Sequence, residues 1–564
     1  MRGSFRRTSN PTTPYKLLAA ALVIAFYFVT MLLRHSSQPA RSPRPRDRGP
    51  AIQLQKWEND TGGPDTPKVT RVKDAMVHTF RNYRAAAWGH DDVLPVSGGY
   101  GDSRNGWGAF IVDSASTLAL MGLWHELKLA IEHIVRVDFT ITEDLVDPFE
   151  TTIRYLGGLL SLVDLIDSQV VPPSVVSPGD RDKILAQAVA LANKLGPAYD
   201  SPTGLAWPRV DFALNQGVPD PPEVYLKDPS KPRYEHPVIN AARAGSSILE
   251  NRALSRLSGR EIYYQNATKS WAPLVWNRYL EEYPGLVDTP IDIVTGDAVS
   301  HQHHWDAGHD SYYEYLLKAA VLAPGDRYSD RYKSRWLAAA RSFHKQLTSR
   351  STPTETHKTQ HLFMGKYHTG NLLNVQSHLA CWAPGSFLLG GAYLQNKTML
   401  NLGRALLEGC HHTYQSTTTG IGPESFSWIP YTNFPEIIYE PRADRSKAEL
   451  AAHGFWAADP RFLLRPEYVE AVFYGWRITG EQRYRDWAWE AFEAMEKHCR
   501  TEHGYAAIAD VFAEEGRVVQ LDEQESFWSA ETLKYLWLTF ADVRVGSLDD
   551  WVYTTEGHPL RRDV

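Results

Sequence analysis

The feature that most constrains this chain is an apolar spacing of three and four residues that recurs, with little interruption, from Val69 onward. The segments VKDAMVHTFRNYRAAAW, RDKILAQAVALANKLG, SRWLAAARSFHKQL, RALLEGCHHTY and YRDWAWEAFEAMEKHC all carry it, with Gly, Pro or Asp between them. Convincing alternating strands are few. About a dozen such helices over roughly 490 residues, with no linker-like break, predict one large all-α body. Helices with one apolar face must pack on one another, so pairs arranged as a toroid or solenoid are the expected geometry, although no fixed-period repeat is visible. An apolar content of 43%, with 18 Trp, supplies a large core and excludes wholesale disorder. Three cysteines exclude a disulfide-stapled miniprotein.

The N-terminal part differs in character. Residues 1–50 hold nine basic side chains and one acid, so the remainder carries −15 to give the chain its net −7. An acidic body argues against nucleic acid as a partner, because phosphate neutralisation needs a basic face. Residues 17–33, LLAAALVIAFYFVTMLL, contain no charge, Gly or Pro, and are flanked by Lys16 and Arg34. That length is at the short end for a bilayer span, about 17–25 residues. A cleaved signal peptide is the alternative, but RHSSQPARSPRPR makes a poor cleavage region. The expectation is a cytoplasmic tail (1–16), a signal anchor (17–33), a flexible, disordered Pro/Ser/Arg-rich stem (34–68) and a folded body (69–564). Arginines on both flanks leave orientation unsettled by charge. Sequons at Asn59, Asn266 and Asn396 lean towards a lumenal body.

Five segments place carboxylates, aromatics and Arg together at helix starts. In DPFETTIRYLGGLLS, Glu150 and Arg154 are four apart and share a face. In DAGHDSYYEYLLKAA, Asp310 is the expected N-cap and Glu314 follows one turn on. In LLRPEYVEAVFYGWRITG, Pro466 suits a first turn and sets Glu467 and Glu470 three apart. ESFWSAETLKYLWL spaces Phe527 and Glu531 by four, and TTEGHPL holds Thr555 and Glu556. Any one of these acids alone would be a capping or dipole residue. Together, within apolar helices where a charge is costly, they are the equipment of glycoside hydrolysis.

The ordered set FETTIR, GSSILE with LSRLSG, DSYYEYLLK, HLACWAPG, LRPEYVEAVFYGWRITG, ESFWSAETLKY and TEGHP resembles glycoside hydrolase family 47, the class I α-1,2-mannosidases, over about Val69 to Leu560. The resemblance implies an (α/α)7 barrel of helical hairpins. It also implies Glu150 as general acid acting through a water, Glu467 as general base and Asp310 as a third catalytic carboxylate. Arg154, Glu314, His378, Arg465, Glu470, Phe527 and Glu531 would line the −1 sugar site, and Thr555 would bind Ca²⁺ with Glu556 nearby. Cys381 and Cys410 match the family's disulfide pair, and Cys499 is left over as a buried thiol. An inverting reaction needs acid and base far enough apart to admit a water, and an acid kept protonated by burial or neighbouring carboxylates.

The chain departs from the family pattern at Ser116 for an acid, Asn251 for Phe, Thr554 for Asn and Gly557 for Ala, the last two beside the metal position. Gly308 stands where the endoplasmic-reticulum enzymes tend to carry Arg, which leans towards the broader Golgi-like or fungal type. His301, His303, His304 and His309, and the Cys410-His411-His412 run, lack the paired second half of a zinc site, so they are expected to hydrogen-bond or lie exposed. The implied function is an inverting, Ca²⁺-dependent exo-α-1,2-mannosidase that trims high-mannose N-glycans. It would be a monomer held in the Golgi or endoplasmic-reticulum membrane by one type II helix. A mannose-recognising lectin on the same barrel is the alternative, although it would have no need of all three catalytic carboxylates.

Overall fold

The computed structural model describes residues 49–53, 62–221, 234, 236–431 and 439–563. The expected anchor over 17–33, the stem up to residue 48 and the sequon at Asn59 lie outside them. No helix among the described residues is long and apolar enough to cross a membrane.

Fourteen helices make seven packed pairs: α2 (Ala109–Leu120) with α3 (Trp124–Ile134), α4 (Gly157–Asp167) with α5 (Pro178–Leu195), α6 (Ile248–Ser258) with α7 (Ile262–Val275), α8 (Asp310–Leu322) with α9 (Ser329–Gln346), α10 (Ala383–Tyr393) with α11 (Lys397–Gln415), α12 (Glu467–Thr479) with α13 (Gln482–His498), and α14 (Leu533–Phe540) with α1 (Thr66–Ala86). The first member of each pair packs on the first member of the next, and the turn Trp528–Thr532 leading into α14 closes the ring against α2. This is the expected (α/α)7 barrel, with the first helix of the body completing the last pair.

Composition sorts the two rings. Every residue of α2 and α10 is buried, as is α8 from Ser311 to Leu322, so these inner helices are enclosed all round and the few charges they carry are buried with them. Outer helices bury one stripe, as α13 does with Tyr484, Ala488, Ala491, Phe492 and Met495. Each large apolar side chain taken from water adds about 1.5–3 kcal/mol. Close approach is built in at α10, where a Cβ on Gly390 would fall 2.1 Å from the Trp336 ring of α9.

Short strands decorate the barrel. β1 (Val375–Ser377), β2 (Ser425–Ser427) and β3 (Trp456–Asp459) form an antiparallel sheet. β4 (Trp551–Tyr553) and β5 (Pro559–Arg561) form a hairpin in which Val552 faces Leu560. Its tip enters the barrel: Ser161 of α4 donates to the Pro559 carbonyl, Lys534 of α14 to the Gly557 carbonyl, and the Thr555 N–H to the Tyr315 hydroxyl of α8. The hairpin therefore plugs one end of the ring. Cys381 and Cys410 form the implied disulfide, tying the turn before α10 to α11, and Cys499 is a buried free thiol.

The body starts before residue 69. Ile52 is fully buried and its N–H donates to Asp549 (2.6 Å), Asp65 caps α1, and the Gly62 carbonyl accepts from Val543. These parts of the expected 34–68 stem are ordered because they offer backbone groups and one apolar side chain to the barrel.

Candidate active site

Three carboxylates head three segments of the inner ring. Asp147 caps the turn Pro148–Thr151 by accepting from the Phe149 and Glu150 N–H groups, which places Glu150 in its first turn. Asp310 is the first residue of α8, and His309, rather than Asp310, is the cap. Glu467 is the first residue of α12, and Pro466 takes the cap position rather than the first turn. All three face the positive end of a helix. Arg154 and Glu531 lie in π-helical turns, Thr152–Leu156 and Trp528–Thr532, that precede α4 and α14. Such turns recur at functional sites, and no apolar period announces them in a sequence.

These elements open onto one cavity of about 470 Å³ lined by Glu150, Arg154, Asp310, Glu314, Arg465, Glu467, Glu470, Phe527, Glu531, Thr555 and Glu556. His378 lies behind Glu467. Every catalytic, sugar-contacting and metal-binding residue expected from the motifs is thus at the cavity or in contact with it. The lining has eight carboxylates against four guanidiniums, which favours a cation or a neutral polyol over an anion.

Each carboxylate has its own surroundings. Glu150 accepts from Arg154 Nε (2.8 Å) and Arg104 Nε (3.3 Å). Burial opposes its charge, but the two guanidiniums outweigh burial and hold the carboxyl down at about 2. Asp310 has no cationic partner among the described residues: burial, helped by Asp306, Glu314 and Glu467, pushes it up to about 7. The raised pKa expected of an acid therefore falls on Asp310 and not on Glu150. Glu467 Oε2 is 2.7 Å from His378 Nδ1, and His378 Nε2 is 2.7 Å from the Tyr414 hydroxyl.

Beneath them lies a second tier. Burial, with repulsion from Glu314 and Glu467, raises Glu470 to about 8 although Lys318 is 3.6 Å away. Glu314 takes the closer contact with Lys318. Glu556 is also raised to about 8 by burial despite its contact with Arg154, and burial with Glu556 and Glu470 nearby drives Glu531 well upward. Glu250 accepts from the Tyr315 hydroxyl (2.5 Å), while its other oxygen is buried without a partner. Two guanidiniums approach the Phe527 ring, Arg154 at 6.0 Å and Arg465 at 5.9 Å from its centre. Arg465 is fixed by Glu424 at 2.7 and 2.8 Å.

Sequence reasoning missed Arg104, Tyr414 and Glu424 because their partners are 36 to 46 residues away in the chain, and it missed Lys318, one turn from Glu314, because the second acid it serves, Glu470, is 152 residues away. The departures are accommodated. Ser116 accepts from Lys534 (2.9 Å), and Asn251 donates to Tyr199 (3.2 Å). Gly557 has φ +69° and would bring a Cβ within 3.0 Å of Glu531, so the tight loop beside Thr555 favours glycine.

The comparisons with known proteins agree with this geometry. Residues 75–562 match the family model described as glycosyl hydrolase family 47. A mannosyl-oligosaccharide α-1,2-mannosidase 1B of Aspergillus phoenicis is 38% identical over 88% of this chain and 91% of its own length, and a mannosyl-oligosaccharide α-1,2-mannosidase of Penicillium citrinum is 36% identical over 87% and 91%. The solved α-1,2-mannosidase from Trichoderma reesei superposes with a TM-score of 0.79 at 33% identity, over 89% of this chain and all of its own. The chain is a glycoside hydrolase and belongs to glycosyl hydrolase family 47.

Proposed function

We propose that the chain is an exo-α-1,2-mannosidase that removes terminal mannose from high-mannose N-glycans with inversion, assisted by Ca²⁺. The observation that carries this reading is the single cavity on which the motif carboxylates converge, closed beneath by the Thr555-Glu556 loop. A blind pocket admits a chain end rather than the middle of a polymer, and the relatives with matching motifs carry mannosyl-oligosaccharide α-1,2-mannosidase in their names.

The donor set suits a hard cation. Thr555 supplies oxygens at the loop tip, the surrounding groups are carboxylates, and their buried excess, including the unpartnered Glu250 oxygen, lacks compensating cations. When bound, Ca²⁺ would offset that charge and organise the waters and sugar hydroxyls. Glu467, oriented by His378, is suited to take a proton from the attacking water. Asp310, protonated to about pH 7, and Glu150, held ionised beside Arg154 and Arg104, divide the acid side between a proton reservoir and a site that hands it on through a water. Phe527, which lines the cavity, offers apolar ring surface to the sugar beside the Arg154 and Arg465 guanidiniums.

Residues 17–33 as a type II anchor, the disulfide and the sequons support a lumenal enzyme of the Golgi or endoplasmic reticulum. A lectin of the same fold would not need three carboxylates at three helix starts. The deciding experiment follows hydrolysis of mannose-α-1,2-mannose by NMR. β-Mannose should appear first. Initial α-mannose would refute inversion, and no free mannose at any Ca²⁺ concentration would favour the lectin.

A further inference from the structure

His412, on α11, was expected to hydrogen-bond or lie exposed because its run lacks a partner half. The tertiary structure supplies one. His357 and His361, from the segment between α9 and β1, come to His412 so that one ring nitrogen from each lies within 4.8 Å of the others. The ring centroids are 3.8 Å (His361–His412), 4.6 Å (His357–His412) and 5.3 Å (His357–His361) apart. None of the three lines the active-site cavity.

We propose that His357, His361 and His412 form a second metal site, separate from the catalytic cavity, that takes a borderline transition-metal ion of the Zn²⁺ class. Three observations carry it. His357 Nε2 is buried with no hydrogen-bond partner among the described residues. His412 Nε2 lies 2.7 Å from the His453 carbonyl and so must donate, which leaves the lone pair on Nδ1, where the Ser416 hydroxyl (3.2 Å) and the Gln415 amide nitrogen (3.5 Å) would give way to the ion; an outer carbonyl of this kind orients metal-binding imidazoles. The donors are three imidazoles without a carboxylate, a set that suits Zn²⁺, Cu²⁺ or Ni²⁺ and not Ca²⁺. Burial, with the neighbouring rings, also keeps His361 and His412 unprotonated well below neutral pH. All three rings stack, with planes 3° (His361–His412), 27° (His357–His412) and 25° (His357–His361) apart, so joint coordination requires the half-buried His357 and His361 rings both to turn on their side-chain bonds. The ion would clip the 357–361 segment to α11, the helix that carries Cys410 and Tyr414.

The test titrates full-length protein with ZnCl₂ in excess Ca²⁺, by calorimetry and thermal melting, and repeats the titration with Co²⁺ to read its visible spectrum. One equivalent of Zn²⁺ should bind and raise Tm. Co²⁺ should give the bands of a low-symmetry nitrogen site, and His357→Gln and His361→Gln should each weaken binding by about tenfold or more. Mannose release in Ca²⁺ should be unchanged in both variants, which also reports that they fold. Failure of the wild-type protein to bind Zn²⁺ saturably would reduce the cluster to a stack of neutral rings and overturn the proposal, as would Zn²⁺ binding that both variants retain in full.

Discussion

His378 Nδ1 lies 2.7 Å from Glu467 Oε2, and the other nitrogen of the same ring lies 2.7 Å from the Tyr414 hydroxyl. A carboxylate oxygen accepts, so Nδ1 is the nitrogen that donates to Glu467, and Nε2 is left to meet the Tyr414 hydroxyl. The pair holds Glu467, the proposed base, at one angle at the head of α12, much as a metal-ligating or nucleophile-activating histidine is held by its outer partner. Tyr414→Phe loosens that hold without touching the cavity. We expect kcat to fall about tenfold, or about 1.4 kcal/mol, with little change in KM. Steady-state kinetics decide it, and a change in KM alone would assign His378 to substrate binding.

The proton on Asp310 makes both rate and stability depend on pH. Its carboxyl stands at about 7 in the folded chain because of burial and neighbouring acids, against about 3.9 when unfolded. A raised carboxyl binds its proton more tightly when folded. The stability it contributes is therefore complete below about pH 4 and is lost as pH rises to about 7. Asp310→Asn should flatten this decline in urea melts taken between pH 5 and 8 without metal, and should abolish turnover. An unchanged slope would place the proton elsewhere.

Arg104 is predicted to set the ionisation of Glu150. It adds one guanidinium to that of Arg154, and the two together outweigh burial. Arg104→Met removes one of them, so the Glu150 carboxyl should move up from about 2, and the acidic limb of the kcat/KM profile should move up with it. Arg104→Lys should restore most of the profile. An immobile limb in both variants would detach Glu150 from the titration.

Metal removal probes the carboxylate excess beneath the cavity. EDTA should abolish turnover and lower Tm, and Ca²⁺ should restore both, because a ligand bound only by the folded chain stabilises it in proportion to the logarithm of its concentration. Thr555→Val should retain the fold but need much higher Ca²⁺ for half-maximal Tm shift. Turnover indifferent to chelation would refute the Thr555 assignment.

The Cys381–Cys410 bond closes a loop across 29 positions. Cys381→Ala with Cys410→Ala should cost about 2–5 kcal/mol of stability, read as a lower Tm. Because Cys381 sits three residues from His378, the same variant should lose kcat faster than it loses substrate affinity.

The sequence by itself determined the helical period and the acids that head the inner segments, which are local signals: a spacing of three to four, a cap, or a carboxylate beside an aromatic in a helix that has no reason to hold a charge. The seven-pair barrel and the disulfide were implied only through the resemblance of its motifs to a family. The body's true start was not legible, because Ile52 and Gly62 are ordered by contacts with Asp549 and Val543, almost the whole chain away. Nor was the division of labour among the carboxylates. Glu150 and Asp310 look alike in sequence, each an acid in the first turn of a helix. Only the tertiary structure gave one of them two arginines and surrounded the other with acids, and a pKa answers to the charges within a few ångströms rather than to neighbours in the chain. The imidazoles at positions 357, 361 and 412 became one cluster for the same reason.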